Sequence, residues 1–164
     1  MGGMRIVGGT SGSQSGSPER RSRQSILEID SWMPGQIQAI SPLVDRLMLL
    51  IEGSQCIPPG EEPDVELALR EALANAVVHG NQKDGEIKVH IRCRCRPGKE
   101  ISIVVADQGK GFDFRNIEDN GVKSDAAGEH GHGIRLMKAY MDDVHFERGG
   151  SEVHMRKRAR NGWH

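Results

Sequence analysis

The sequence lacks both the long apolar run of a membrane protein and the paired cysteines of many secreted ones. No segment of its 164 residues approaches the roughly 20 apolar residues that a membrane-crossing helix requires. The N-terminus also lacks the apolar core of a secretion signal. The three cysteines, Cys56, Cys93 and Cys95, are too few for a disulfide framework. We therefore expect a reduced, cytoplasmic protein that does not contact a membrane.

An excess of charge of one sign is missing as well. The 22 basic residues nearly balance the 23 acidic ones, which leaves a net charge of -1. This balance argues against a protein whose main task is to neutralise nucleic-acid phosphates, so we expect no direct contact with nucleic acid. Arginine clusters near residues 20–23 and 156–160 are interpreted as solvated ends of the chain.

A zinc site is a third feature that the sequence does not support. Cys93 and Cys95 are two residues apart in an alternating segment, so both side chains point to the same face of a strand. Zinc requires further ligands, and no second pair of cysteines accompanies them. We therefore expect small buried side chains at these positions. His130 and His132 also lack the cysteine or carboxylate partners of a metal site.

The length and composition predict one compact domain between two tails. A chain of this size leaves little sequence for a second domain. Residues 1–24 are rich in Gly, Ser and Arg and contain almost no apolar side chains, so we expect a disordered N-terminal tail. The domain is expected over residues 25–158, with a short C-terminal tail at 159–164.

Hydrophobic spacing predicts an α+β fold in which helices cover one face of a mixed, mostly antiparallel sheet. The clearest strand is at 86–96, where apolar and basic residues alternate, and the clearest helix runs from about Pro63 to His79. Residues 113–129 lose this periodicity and are predicted to form a mobile lid. The other predicted elements are strands at 25–30 and 101–106, a helix at 37–51 kinked or restarted at Ser41-Pro42, a helix from about Gly133, and a hairpin of 144–147 with 151–155.

Three polar side chains recur at four-residue intervals on the clearest helix. Glu71, Asn75 and His79 are rotated by only about 40° from one to the next and form one stripe. Apolar residues occupy the opposite face, so the stripe faces either solvent or a cleft. A stripe of this kind is by itself more often solvated than functional.

Two segments with paired glycines follow. The segment from Asp107 to Phe112, DQGKGF, begins where an apolar strand ends, and its glycines allow positive φ angles and close approach of a flat ligand. The Asp107 carboxylate can accept hydrogen bonds from an amino group such as that of adenine. The segment Gly131-His132-Gly133 precedes an apolar helix, where free amides and the helix dipole can bind phosphate. Each segment alone is equally consistent with a simple turn.

Together, the three motifs resemble those of the GHKL (Bergerat-fold) ATP-binding superfamily. ELALREALANAVVHGN resembles its N-box, VADQGKGF its first glycine box and GHGIRLMKAYMDDV its second. The NAVVHG ending and the short linear layout are most similar to the bacterial anti-sigma factor serine kinases. The resemblance covers about residues 25–156 and implies a two-layer α/β sandwich that binds ATP with Mg²⁺.

The resemblance also implies a role for each matching residue. Glu71 would be the general base that accepts the proton of an attacking hydroxyl, and Asn75 would bind Mg²⁺ through its side-chain oxygen. His79 would either contact ATP or cap the end of its helix. The remaining implied ATP contacts are Asp107 to adenine, Gly109 and Gly111 along the adenine wall, and Gly131, His132 and Gly133 around the phosphates.

Three functions are consistent with this resemblance. The leading one is an ATP-dependent serine protein kinase that also sequesters a sigma factor and phosphorylates a STAS-domain antagonist. The second is a module that binds nucleotide and partners without phosphoryl transfer, and the third is a detached histidine-kinase ATPase domain. Kinases of this group also form homodimers, so a second copy of the chain is a further expected partner.

A row of basic side chains is expected on the exposed face of the strand at 86–96. Such a row can bind an acidic partner, or it can be an ordinary solvated strand face. The row consists of Lys88, His90, Arg92, Arg94 and Arg96.

Overall fold

The computed structural model describes residues 5–9, 26–80, 88–111 and 128–159. Two 3-10 turns, Ile37–Ala39 and Arg148–Gly150, accompany the longer elements. The predicted lid at 113–129 lies outside the described residues, apart from its last two positions. The helices and strands are β1 (Arg5–Gly9), β2 (Ile26–Pro34), α1 (Ile40–Glu52), α2 (Glu62–Gly80), β3 (Lys88–Arg96), β4 (Glu100–Ala106), α3 (Gly128–Tyr140), β5 (Asp143–Glu147) and β6 (Glu152–Arg158).

The strands form one six-stranded sheet in the order β1-β2-β3-β4-β6-β5. Every pairing among these described strands is antiparallel. The predicted α+β class is confirmed, and the sheet is antiparallel throughout its described part rather than mixed. For the β3–β4 and β5–β6 pairs the short connections require this direction, because neighbouring strands joined by a tight turn run in opposite directions.

Alternation along the strands separates a helix-covered face from an open face. In β3, Val89, Ile91, Cys93 and Cys95 are buried, whereas Arg92 and Arg94 between them are exposed. The covered face packs against an apolar stripe of α2, as the 3.6-residue spacing predicts. That stripe consists of Val65, Ala68, Leu69, Ala72, Leu73, Ala76 and Val77, all of them buried.

Helix α1 begins one residue before Ser41-Pro42. The 3-10 turn at Ile37–Ala39 precedes it, so Pro42 lies in the first turn of the α-helix. Proline is tolerated there because the first amides of a helix have no partner within the helix. The predicted interruption is therefore the start of the helix, and its buried side chains join the core at Val44, Leu47 and Ile51.

Lys157 lies on the helix-covered face at the end of β6. Its side chain is 5% exposed, and its ammonium pairs with Glu61 at 2.8 Å and Asp64 at 3.7 Å, beside the start of α2. The same nitrogen, Lys157 Nζ, donates to the Tyr140 carbonyl at the end of α3 at 2.6 Å. A buried ammonium requires such partners. Lys157 therefore connects the first turn of α2 with the last turn of α3.

The prediction of a disordered tail at residues 1–24 is wrong for Arg5–Gly9. These residues form β1, in which Ile6 lies opposite Ile29 of β2. Ile6 and Val7 have strand-forming side chains, and β2 would otherwise present an unpaired edge. The prediction of disorder used the average composition of residues 1–24, which is rich in Gly and Ser. That average conceals the two neighbouring apolar residues Ile6 and Val7. The rest of the predicted tail lies outside the described residues.

The last helix begins earlier than the sequence predicts. It was expected from about Gly133, but α3 begins at Gly128 and includes Gly131, His132 and Gly133. The glycines therefore lie within the first turns of the helix rather than in a loop before it. Packing against α2 stabilises these turns despite the low helix propensity of glycine.

The expectation that all cysteines are reduced is also wrong. Cys56 and Cys95 form a disulfide, with their Cα atoms 5.5 Å apart, a separation typical of such bonds. The two residues are 39 positions apart in sequence, and only the packing of the loop after α1 against β3 brings them together. Cys93 is free and buried, and burial raises the pKa of its thiol to about 12. The predicted burial of Cys93 and Cys95 is confirmed.

None of the described helices is both long enough and apolar enough to cross a membrane.

Candidate functional site

The polar stripe of α2 is half-buried and faces the start of α3. Glu71, Asn75 and His79 all have intermediate exposure. A Cβ atom placed on Gly133 would lie 2.5 Å from Glu71 Oε2 and 3.6 Å from Asn75 Nδ2. The backbone of α3 therefore approaches these two side chains closely only because residue 133 has no side chain. The stripe borders a cleft rather than open solvent.

The amide of Asn75 is the clearest sign that this cleft binds something polar. Within the described part of the chain, its Nδ2 atom is buried and has no hydrogen-bond partner. Leaving such a group unsatisfied costs about 1–3 kcal/mol. A buried side-chain amide of this kind is expected where a ligand or ion completes its polar contacts.

Asp107 lies at the end of β4, on the other side of the cleft. Its backbone N–H donates to the Ser151 carbonyl at 2.9 Å, and its Oδ1 accepts from the Gly109 N–H at 2.7 Å. The residue is 5% exposed. Burial raises the pKa of this carboxyl, and the Gly109 hydrogen bond and the Arg148 charge oppose that rise. Among the described residues, the hydrogen bond from Gly109 uses only Oδ1, which leaves the second carboxylate oxygen for a ligand donor.

The two glycines after Asp107 are required by close backbone contacts. A Cβ on Gly109 would lie 2.8 Å from Gly80 Cα and 3.0 Å from the His79 carbonyl oxygen. Gly111 has a φ of +74°, and a Cβ there would overlap the Gly149 carbonyl. The turn is therefore held between the end of α2 and the 3-10 turn at Arg148–Gly150. This packing fixes Asp107 in place.

A small cleft of about 10 Å³ joins these elements. As it stands it has room for about one water molecule, so a ligand as large as a nucleotide base would have to widen it. Its walls are mostly apolar, and its polar side chains are Asn75, Asp107 and Ser151. The lining residues are Ala72, Asn75, Ala76, Val105, Asp107, Phe146, Gly150, Ser151 and Val153.

The structure brings some predicted site residues together and leaves others apart. Asn75 and Asp107 line one cleft, and Glu71 and Gly133 meet beside it. His132 is exposed on α3. The backbone carbonyl of His79 packs close to Gly109. Neither histidine lines the cleft. Gly131 is buried within α3.

Sequence reasoning missed the wall that the β5–β6 hairpin contributes. Phe146, Ser151 and Val153 line the cleft together with Gly150. The Gly149-Gly150 pair indicated a hairpin, but only the antiparallel pairing of β4 with β6 brings that hairpin beside Asp107. A strand neighbour that is distant in sequence gives no local signal.

The donor set fits an adenine nucleotide with a divalent cation. A buried carboxylate at the end of an apolar cleft can accept from an exocyclic amino group. An amide oxygen is a ligand that Mg²⁺ accepts, and the Asn75 side chain carries one. Its unpartnered Nδ2 atom is a donor, which suits an acceptor oxygen of the ligand. Glu71 is one helical turn from Asn75, so the same helix can present a carboxylate next to the cation.

Comparison with known proteins agrees with this arrangement. A family model described as "Histidine kinase-like ATPase domain" matches residues 39–157. The serine-protein kinase RsbW of Bacillus subtilis (strain 168) is 34% identical over 90 residues, which cover 51% of this chain and 56% of that protein. RsbW of Staphylococcus epidermidis is 32% identical over 87 residues, which cover 49% of this chain and 55% of that protein.

A relative with a different name matches more of the chain. The anti-sigma F factor of Clostridium botulinum (strain Eklund 17B / Type B) is 30% identical over 105 residues, which cover 60% of this chain and 71% of that protein. The chain thus spans little more than half the length of the RsbW relatives that it matches.

Proposed function

The chain belongs to the histidine kinase-like ATPase domain family, and we propose that it transfers the γ-phosphoryl group of ATP to a serine of a partner protein. The observation that carries this proposal is that Asn75 and Asp107 line one cleft while Glu71 lies one helical turn from Asn75, beside Gly133. Phosphoryl transfer needs a cation, a base and a site that positions the nucleotide. These three side chains can meet those needs.

Each side chain has a distinct task in the proposed reaction. Asp107 accepts a hydrogen bond from the adenine amino group through the carboxylate oxygen that Gly109 does not use. Asn75 holds Mg²⁺ through its side-chain oxygen. Glu71 accepts the proton of the attacking serine hydroxyl. When bound, Mg-ATP supplies the transferred phosphoryl group and the positive charge that neutralises its oxygens.

The glycine segments complete the proposed nucleotide site. Gly109 and Gly111 shape the base wall, because their contacts leave no room for side chains. Gly131, His132 and Gly133 border the phosphates along the first turns of α3. His79 either contacts the nucleotide or caps α2. The kinase domain extends over residues 25–158, with β1 as an additional edge strand.

The proposed partners are a sigma factor and a STAS-domain antagonist. The names of the relatives, serine-protein kinase RsbW and anti-sigma F factor, support a kinase that also holds a sigma factor. In such a system the antagonist carries the serine that receives the phosphoryl group. A protein with these partners acts in the cytoplasm, and it can do so as a homodimer.

The decisive experiment separates transfer from binding. We expect Glu71→Gln to reduce phosphorylation of a co-encoded STAS protein by roughly 100-fold or more, the usual contribution of a general base. Calorimetry should show that the variant still binds Mg-ATP, because the proposed nucleotide contacts remain. Phosphoserine formed on the partner is measured by mass spectrometry.

Glu66→Gln is the matched control. Glu66 lies on the same helix and pairs with Arg70 at 2.8 Å, away from the cleft. The Glu66→Gln variant should leave both phosphoryl transfer and ATP binding unchanged. Normal transfer by Glu71→Gln would disprove the assigned role. ATP binding by the unmodified chain with no phosphoserine on any partner would instead identify a module that binds without catalysis.

A further inference from the structure

We propose that the open face of the β5–β6 hairpin binds a divalent transition-metal ion, with Zn²⁺ as its best match, through His145, Glu147 and His154. This site lies on a different surface from the nucleotide cleft, and the inference does not depend on the proposed kinase activity.

Strand register places the candidate ligands on one face. His145 lies directly opposite His154, and Glu147 lies directly opposite Glu152. Residues two apart in a strand point to the same side, so all four side chains project together. Phe146, between His145 and Glu147, points the other way and lines the cleft. The hairpin therefore separates the metal ligands from the nucleotide site.

The distances between the ligand atoms suit a small cation. One oxygen of Glu147 lies 3.5 Å from His145 Nε2, and the other lies 3.5 Å from His154 Nε2. One ligand atom from each of the three residues lies within 4.8 Å of the others. Tetrahedral zinc with bonds of about 2.1 Å separates its ligands by about 3.4 Å. Only small side-chain rotations are needed to close the site.

The two imidazoles are already aligned. Their rings are stacked, with centroids 4.7 Å apart and an angle of 13° between their planes. Two protonated imidazoles in this arrangement would repel each other, whereas two neutral ones can both donate electron pairs to a metal. Asp143 lies 4.0 Å from His145 Nδ1, on the ring edge away from Glu147. A carboxylate in that position favours metal binding through the opposite nitrogen.

Glu152 can release His154 to the metal. Its carboxylate contacts His154 Nε2 at 2.8 Å, but Arg92 and Arg148 also lie 3.5 Å and 3.6 Å from its two oxygens. These arginines keep the nearly buried Glu152 neutralised when the imidazole turns to a cation. The ligand set is then two imidazoles and one carboxylate, with a fourth position open to water, as in many zinc sites. Mg²⁺ and Ca²⁺ prefer oxygen ligands and do not match it.

The test is a Zn²⁺ titration of the full metal-free chain against a chromophoric chelator. We expect one high-affinity Zn²⁺ per chain. His145→Gln and Glu147→Gln should each weaken binding by about tenfold or more, since the loss of an outer-shell partner alone costs 10–100-fold. Mg²⁺ in excess should not displace the bound Zn²⁺.

Two histidines outside the cluster serve as controls. His90 lies on the same open face and pairs with Asp30 at 2.9 Å, and His132 is exposed on α3. His90→Gln and His132→Gln should bind Zn²⁺ as the unmodified chain does. The proposal is overturned if no stoichiometric Zn²⁺ binds, or if the cluster variants retain full affinity.

A second measurement removes any dependence on variant folding. The imidazole ¹⁵N resonances of the unmodified protein should show Zn²⁺ bound at the Nε2 atoms of His145 and His154. If these resonances do not change while others do, the cluster is an ion-pair network and the proposal fails. Circular dichroism of each variant verifies that its fold is intact.

Discussion

The two faces of the sheet differ in how they deal with charge. On the helix-covered face, apolar side chains form the core, and the buried Lys157 has partners from two helices. On the open face, arginines lie beside acids of neighbouring strands, such as Arg94 with Glu28 at 3.1 Å. Burial on one face contributes most of the stability, whereas exposed pairs on the other contribute little.

This difference also bears on the basic row of β3. Arg92, Arg94 and Arg96 each lie within 3.5 Å of a carboxylate, from Glu152, Glu28 and Glu100 respectively. His90 pairs with Asp30. The row is therefore largely neutralised within the sheet, which favours a solvated strand face over a docking surface for an acidic partner.

The largest expected effect comes from shortening a core side chain of β4. Ile103→Ala should lower the free energy of unfolding by about 2–5 kcal/mol, because it leaves a cavity in a closely packed core. Ile103 is 1% exposed, whereas its neighbour Val104 lies half-exposed on the open face. Val104→Ala should cost less than about 1 kcal/mol. Urea unfolding measures both values, and equal losses would contradict the difference between the faces.

The next largest effect separates backbone strain from crowding beside the cleft. Gly111 and Gly60 both have positive φ angles, +74° and +85°, but only Gly111 lies against another backbone segment, at Gly149. Gly60→Ala should cost about 1–2 kcal/mol from conformation alone. Gly111→Ala should add about 1–3 kcal/mol from overpacking. Thermal unfolding compares them, and a Gly111→Ala cost no greater than that of Gly60→Ala would rule out the tight contact.

A smaller effect concerns the pH dependence of stability at Asp107. Burial raises the pKa of this carboxyl in the folded state above its usual 3.8. Folded-state protonation therefore adds stability below pH 3.8 that is lost as the pH rises through the folded-state pKa. The Asp107→Asn side chain does not ionise, so the variant does not lose stability in this way. The difference in free energy of unfolding, variant minus unmodified chain, should therefore be more positive at about pH 7 than at about pH 4. Urea unfolding at both pH values checks the sign, and a reversed order would mean that the carboxylate is stabilised where it lies.

The smallest expected effect is on the open face. A double-mutant cycle with Arg94→Ala and Glu28→Ala should give a coupling of about 0.2–1 kcal/mol that weakens further in high salt. The two residues lie directly opposite each other in the register of β2 and β3. A coupling as large as the loss in Ile103→Ala would show that the open face contributes as much stability as the core.

The sequence predicted elements with a strong local pattern and missed features set by distant contacts. The helix predicted from Pro63 to His79 is observed as Glu62–Gly80, and the described part of the predicted 86–96 strand is β3. Both have an uninterrupted periodicity. The strand at Arg5–Gly9 and the disulfide of Cys56 with Cys95 depend on neighbours far away in the chain, so no local pattern revealed them.

The candidate site shows the same division. Glu71 and Asn75 were identified because they share one helix face, and Asp107 because it follows an apolar strand. The wall at Phe146 and the inclusion of Gly133 within α3 were not predicted. Both depend on packing between elements that are distant in sequence.

The position of Lys157 limits how the space between the two helices can change. Its ammonium contacts both the beginning of α2 and the end of α3. At the other end of α2, Gly80 packs closely against the Asp107 side chain. Helix α2 is thus held at both of its ends, whereas α3 is held at its C-terminal end through Tyr140 and along its length by Ile134 and Met137 in the core. Loss of the Lys157 ammonium is therefore expected to loosen the start of α2 and the end of α3 together.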